Sequence, residues 1–307
     1  MRGRTVVGGV ITTCGLFLLM GTLVALASTG AVTNTTFTPI AFSCPPYVAE
    51  DWPLTPTTPT CAGLHMLIPL YSYPTWYSPT TYIWDDVVTA TSQISITAII
   101  NPNNGPGGCP PNIDYQRGIT DLRDGGVTIL GYVDTGYGAR PSISVTNDIS
   151  LYNQCFDIDG IFFDQVTNTV PFSPTEELCK YVKSLSPTLQ VFLNPGTPIN
   201  VCYVITACDT VVIFEDYSNK LPDQCPDGCA DCRAEHCAML VHTVPDTDTM
   251  KSHINWGVAC NIGYVYATDD TMDNPYDRLP VFWQAEVDYI AWLNMCYLWL
   301  PLILRNY

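Results

Sequence analysis

Positive charge is scarce in this 307-residue chain: 12 Lys and Arg stand against 29 Asp and Glu, a formal charge of −17. Without a basic patch to neutralise phosphates, a nucleic-acid surface is excluded. The acidic balance suits solubility outside the cell and a neutral or cationic ligand. Charged residues of both signs reach only 13%, while apolar residues reach 47%, enough for a large core. No G-x-G-x-x-G follows a strand-like run and no P-loop is present, so no nucleotide cofactor is expected, nor any other.

What the chain has in excess is cysteine. Fourteen are too many for an ordinary cytosolic enzyme and point to an oxidising compartment, secreted or at the cell surface. The N-terminus agrees. Arg2 and Arg4 precede an apolar stretch from Val6 to Ala27 that ends in Ala25-Leu26-Ala27, a signal-peptidase pattern. Residues 1–27 therefore read as a signal peptide. An uncleaved membrane anchor is the alternative, because the stretch is long. Cleavage removes Arg2, Arg4 and Cys14, leaving a charge of −19 and thirteen cysteines, an odd number. One is then free or paired with another chain, a route to self-association. Residues 28–62 form a Thr/Pro-rich extended arm carrying a glycosylation sequon at Asn34, and Cys44 and Cys61 are placed to staple its ends.

From residue 63 the pattern alternates. Strand-like apolar runs fall at 64–71, 94–100, 127–133, 159–163, 189–193, 210–214, 238–244 and 262–267. Helical stretches are expected at 115–124, 147–155, 175–185, 198–206 and 247–256, with a last helix beginning near Phe282. Eight β/α units in order, with no competing run of strands, predict an α/β fold: a (β/α)8 TIM barrel over 63–299. Residues 300–307 are an apolar tail, too short to span a bilayer.

Two of the apolar runs end in a carboxylate. Gly160-Ile161-Phe162-Phe163 leads to Asp164-Gln165, and Val211-Val212-Ile213-Phe214 leads to Glu215-Asp216. Continuous apolar runs are the mark of strands buried on both faces. Acids at the C-terminal ends of such strands sit where α/β barrels keep their chemistry. Two of them, about fifty residues apart, have the pattern of a glycosidase pair. Each acid alone is equally well read as a helix N-cap. The insertion after strand six, 218–237, holds Cys225, Cys229, Cys232 and Cys237 with His236 among them. A zinc knuckle is one reading. Two local disulfides are the expected one in a secreted chain, and no metal is assigned. The insertion is expected on the C-terminal face, beside Glu215.

Seven motifs in order carry a family resemblance. They are Ile68-Pro69-Leu70-Tyr71, Ile100-Asn101-Pro102, Gly131-Tyr132-Val133-Asp134-Thr135, Asp159 to Asp164, Asn194-Pro195-Gly196-Thr197, Val212 to Glu215, and Gly263 to Asp270. With them, residues 64–292 resemble the spherulin-4 family. The resemblance implies a secreted glycoside hydrolase of (β/α)8 fold, whose characterised relatives cleave α-1,4-linked galactosamine or N-acetylgalactosamine polymers. It implies Asp164 as nucleophile and Glu215 as general acid/base. The chain departs from the family at Gln165, where a Glu is usual. If that Glu only orients substrate, activity survives with altered specificity; if it takes part in proton transfer, this member is weakened or inactive.

Other strand ends supply candidate sugar contacts: Tyr71, Asn101, Tyr132, Asp134, Asn194, His242, Tyr266 and Asp269. Tyrosine offers an apolar face with a polar tip, which suits carbohydrate. The strand-end acids favour a cationic, partly deacetylated amino-sugar polysaccharide as partner. The competing expectation is a non-catalytic glycoprotein of the same fold that binds glycan or builds an extracellular structure.

Overall fold

The computed structural model describes residues 63–168, 173–197, 207–226, 229 and 233–303. The signal segment, the arm with Asn34, Cys44 and Cys61, the expected helix at 198–206, Cys232 and residues 304–307 lie outside the described residues.

Eight parallel strands close into a barrel in sequence order: β1 His65–Leu70, β2 Ile96–Ile100, β3 Thr128–Asp134, β4 Gly160–Asp164, β5 Gln190–Leu193, β6 Thr210–Tyr217, β7 Cys237–His242 and β8 Tyr264–Ala267. Closure is made by β1 on β8, with His65 opposite Tyr264. The strands are almost wholly buried because helices cover the outside while side chains fill the interior, so alternation disappears into continuous apolar runs. All eight expected strands are present.

The helices are α1 Ile83–Ala90, α2 Ile113–Asp124, α3 Ser142–Cys155, α4 Ser173–Leu185, α5 Thr247–Ala259 and α6 Trp283–Ile303. Asn112 caps α2 by accepting from the Tyr115 amide at 2.9 Å, and Asp246 caps α5 through the Thr249 amide at 2.8 Å. Helix α1 is absent from the sequence reading: eight residues with paired valines and a polar flank give a weak helical pattern. Helix α6 continues through the start of the apolar tail to Ile303. Among the described residues no helix is long and apolar enough to cross a membrane.

Acids just before two strands seal the N-terminal end of the barrel. Asp159 Oδ2 accepts from the Ile129 amide on β3 at 2.8 Å, and Asp209 Oδ2 accepts from the Val191 amide on β5 at 2.7 Å. Each satisfies a strand-end donor that the ladder leaves open.

The insertion after β6 is placed differently from the expectation. Its cysteine-bearing half lies at the N-terminal face, not beside Glu215. A crossover leaving the top of β6 must return to the bottom before β7 can begin, and this one descends without an α-helix among its described residues. Cys229 bonds Cys237, the first residue of β7, and Cys225 bonds Cys260 at the end of α5. The second bond is not local, so the expectation of two local disulfides is corrected. With Cys225, Cys229 and Cys237 all in disulfides, the zinc-knuckle reading falls. The Gly263 amide donates to Ala234 O at 2.8 Å, and Ser218 Oγ meets His253 Nε2 at 2.8 Å. Cys109–Cys155 and Cys179–Cys208 add two further crosslinks, chemistry consistent with an extracellular protein.

Two strand glycines are required by close approach. A Cβ at Gly131 would lie 2.6 Å from the Tyr152 ring, and one at Gly160 would lie 2.2 Å from Gln190 O on the neighbouring strand. The second contact is with backbone, which cannot swing away. Gly160→Ala is therefore expected to destabilise the barrel by about 3 kcal/mol or more, the upper range of overpacking. Gly108→Ala, whose Cβ meets nothing closer than 3.5 Å, should stay within about 0.5 kcal/mol of the parent. Urea denaturation of the two variants beside the parent checks both; a near-neutral Gly160→Ala would show that β4 and β5 do not approach as closely as described.

Candidate active site

The register of the strands assembles the centre. β3 and β4 pair with Asp134 opposite Asp164. On β6 a bulge between Val212 and Phe214 shifts the pairing, so that Glu215 stands opposite Leu240 of β7. Bulges re-aim side chains, and this one lies just before the acid. Between them β5 ends at Leu193 and delivers Asn194, which is buried. Its own backbone is fixed: the Asn194 amide donates to Phe163 O at 2.8 Å, and its carbonyl accepts from the Val166 amide at 3.0 Å.

The Asn194 side chain joins the two acids. Nδ2 donates to Asp164 Oδ1 at 2.9 Å and also to Glu215 Oε2. Its Oδ1 accepts from the Gly196 amide at 3.2 Å, which sets which end of the amide faces the acids. Each carboxylate has a tyrosine on its other oxygen. The Tyr132 hydroxyl donates to Asp164 Oδ2 at 2.7 Å, and the Tyr276 hydroxyl donates to Glu215 Oε1 at 2.7 Å. Tyr71 sits between these tyrosines, meeting each edge-to-face with ring centroids 5.8 Å apart.

Burial pushes both acids above the usual carboxylate range. Against that, Tyr132, the Gln165 amide and Asn194 pull Asp164 back toward its ionised form. Glu215 is pulled down by Tyr276 and Asn194 and pushed up by the negative charge of Asp164. The pair is unequal in its donors, three on Asp164 and two on Glu215, while each also feels neighbouring negative charge: Asp134 on Asp164, and Asp164 with Asp216 on Glu215.

The remaining sequence candidates are distributed around this centre. Asp134 Oδ1 accepts from the Gly136 amide at 2.6 Å. Gln165 has a left-handed φ of 50°, and its carbonyl accepts from the Tyr137 amide and from Thr135 Oγ1, each at 2.6 Å. Tyr266 is buried and packs against Tyr276 at 6.4 Å. His242 is buried at the end of β7, with Nδ1 3.0 Å from Thr243 Oγ1 and its ring 4.4 Å from Tyr217; burial lowers its pKa. Asn101 Oδ1 accepts from the Gly105 amide at 3.0 Å within its own loop. Asp269 receives Arg278 at 3.0 and 3.2 Å and the Val281 amide at 2.9 Å, which fixes the loop before α6. The structure therefore brings Asp164, Glu215, Asn194, Tyr132 and Tyr71 together and gives Asn101 and Asp269 loop-holding partners.

Two residues of consequence escape the sequence reading. Tyr276 lies in a long loop without periodic pattern, and only the fold carries it to Glu215, 61 residues away. Glu286 looks like an ordinary first-turn acid of α6, yet it is fully buried and accepts from the Ala267 amide at the end of β8 at 2.8 Å. Burial raises its pKa to about 8.

The fold and this centre define a class: a (β/α)8 barrel with paired carboxylates at the C-terminal ends of its strands. Residues 65–290 match the family described as Spherulation-specific family 4. Spherulin-4 of Physarum polycephalum is 34% identical over 251 residues, covering 78% of this chain and 73% of its own. Among solved structures, Aspergillus clavatus Sph3 in complex with GalNAc superposes with a TM-score of 0.62 at 25% identity, covering 75% of this chain and 98% of that one. The chain belongs to the spherulin-4 family.

Glu286 generates a pH prediction. Its folded pKa of about 8 exceeds the unfolded value near 4.3, so the folded state holds the extra proton and loses stability as pH rises between them. Glu286→Gln keeps an acceptor for Ala267 and removes the titration. The variant should be more stable than the parent at pH 9 by roughly 2 kcal/mol or more, the gap closing toward pH 4. Thermal melts across that range check it; parallel pH profiles would refute the assignment.

Proposed function

We propose that this protein is a secreted or cell-surface glycoside hydrolase, retaining and endo-acting on an α-1,4-linked galactosamine or N-acetylgalactosamine polysaccharide. The observation that carries the reading is the Asn194 amide shared between Asp164 and Glu215. Two hydrogen bonds from one nitrogen hold the facing oxygens within about 6 Å of each other. That suits the roughly 5–5.5 Å of a retaining pair and falls short of the roughly 6.5–9.5 Å an inverting enzyme needs for its water. Family membership and the GalNAc held by the Aspergillus relative support an amino-sugar ligand.

In this mechanism Asp164, served by three donors, is the ionised partner that attacks the anomeric carbon. Glu215, raised by burial and by the charge of Asp164, carries the proton delivered to the leaving oxygen. Once Asp164 is esterified its charge is gone, the pKa of Glu215 falls, and Glu215 accepts a proton from the water that releases the product. Asn194 is the positioning residue for both acids. Tyr71, Tyr132 and Tyr276 wall the cleft with ring faces and hydroxyls.

A second reading starts from Gln165, where the family resemblance leads one to expect a Glu; it is a weakened hydrolase that retains glycan binding.

Incubation of the purified protein with an α-1,4-galactosamine polymer, read by mass of released oligosaccharides, separates the two. The first reading expects cleavage by the parent, a loss of at least about a thousandfold in Asp164→Asn and in Glu215→Gln, and a pH optimum bounded by both acids. An inert parent that gains cleavage as Gln165→Glu would move the protein to the second reading. For an active parent, Asn194→Ala should lower turnover and shift the acidic limb of the pH profile upward, because each acid loses a donor to its charged form.

A further inference from the structure

The loop after β1 exposes aromatic rings on the same barrel face as the acids. Tyr73, Trp76 and Tyr77 are 43%, 42% and 59% exposed. They are not loose. The Tyr73 hydroxyl donates to Asp114 Oδ2 at 2.6 Å, and Trp76 Nε1 donates to Asp114 Oδ1 at 2.9 Å. One carboxylate in the first turn of α2 thus holds two rings by their polar edges. Asn112 Nδ2 donates to the Tyr73 hydroxyl at 3.1 Å, and the Tyr73 and Tyr115 rings meet edge-to-face at 5.5 Å. Tyr77 packs edge-on to Trp76 at 5.9 Å.

The base of the loop is clamped as firmly. The buried Trp84 indole donates to Ser72 O at 3.2 Å and lies 3.0 Å from Ser72 Oγ. Pro74 is buried over α2 at a point where only glycine fits: a Cβ on Gly118 would sit 2.8 Å from Pro74 Cβ and 2.7 Å from the Trp84 ring. Pinning the polar edges while leaving ring surface in water does not serve the core. It serves a ligand that stacks, since the ordering cost is met before binding.

Beside the rings lies a hollow of about 420 Å³ whose lining includes Tyr73, Tyr115, Asn103, Asn112, Pro106 and Pro111. It offers amides next to aromatic surface, the mixture a sugar ring requires. The chain itself links the ledge to the acid pair. Tyr73 follows Tyr71 by two residues, so their Cα atoms are within about 7 Å, and Tyr71 touches both tyrosines that hold the acids.

We propose that Tyr73, Trp76 and Tyr77 form an outer subsite that stacks sugar rings of a polysaccharide chain running out of the cleft over the β1 side of the rim. This rests on the reading of the cleft as a glycan site and adds the path the chain takes. The wall chemistry argues against other occupants: a chain of net charge −17 with a carboxylate under the rings repels anionic membranes and phosphorylated ligands.

The test uses the full chain carrying Asp164→Asn, so that bound glycan is not consumed, with binding measured calorimetrically for GalNAc and for α-1,4-galactosamine oligomers of increasing length. Affinity should rise with length in this parent. Adding Trp76→Ala and Tyr77→Ala should leave GalNAc binding unchanged and weaken the longest oligomers about tenfold. Trp76→Phe with Tyr77 intact, which keeps an aromatic ring at each position but loses the pyrrole ring and its bond to Asp114, should recover part of that affinity. Long oligomers bound equally well by the double-alanine protein would overturn the ledge and leave the cleft reading standing. So would a loss equal at every length, which would mark a general structural defect. A parent that binds no oligomer and no GalNAc would overturn both readings together.

Discussion

Two largely buried carboxylates side by side repel each other and lose hydration, and something has to hold them there. In this barrel that is a primary amide. Asn194, at the end of β5, is short and carries two donor hydrogens on one atom, one for each acid, and an acceptor turned back to the Gly196 amide. A hydroxyl brings one hydrogen; an ammonium would bring a charge and ionise both acids equally. The neutral bridge keeps the acids near while leaving their difference to be set by the flanking tyrosines and by each other. The strand order puts β5 between β4 and β6, so barrel closure, bulge and amide act as one device.

The same economy is visible away from the centre. Where the crossovers after β1, β2, β3, β4 and β7 cover the barrel with helix, the described part of the link from β6 to β7 uses covalent ties and side-chain contacts to α5 instead. Cys225 to Cys260 and Cys229 to Cys237 tie this link to the end of α5 and to the first residue of β7. A disulfide stabilises chiefly by restricting the unfolded chain, so it substitutes where regular packing is thin. The odd placement of cysteine density in the sequence is the trace of this exchange.

How far the sequence could be read follows from which forces were local. Parallel strands buried on both faces leave runs such as Val211 to Phe214 that need no context, and acids at their ends mark the C-terminal face of the barrel. Asn194 stood out for the same reason, as the residue after such a run, but as a sugar contact and not as the bridge between the acids. Tyr276 was not, because its loop has no period and its partner is distant in sequence. Cys225 misled because proximity in sequence favours Cys229 or Cys232, whereas the end of α5 returns beside it in space. Helix α1 is too short to declare a period. Glu286 showed nothing of its burial, which is set by β8 and by no neighbour in the chain.

Gln165 has a further meaning once its backbone is considered. Its left-handed φ of 50° and its carbonyl, which takes the Tyr137 amide and the Thr135 hydroxyl, make the main chain at this position a hinge pin for the loop after β3. None of that depends on whether the side chain ends in an acid or an amide. Shape and charge are therefore separable here: a glutamate can give way to a glutamine while the wall of the cleft stands unmoved. Such a position can gain or lose a charge in a single step while the architecture around it is kept.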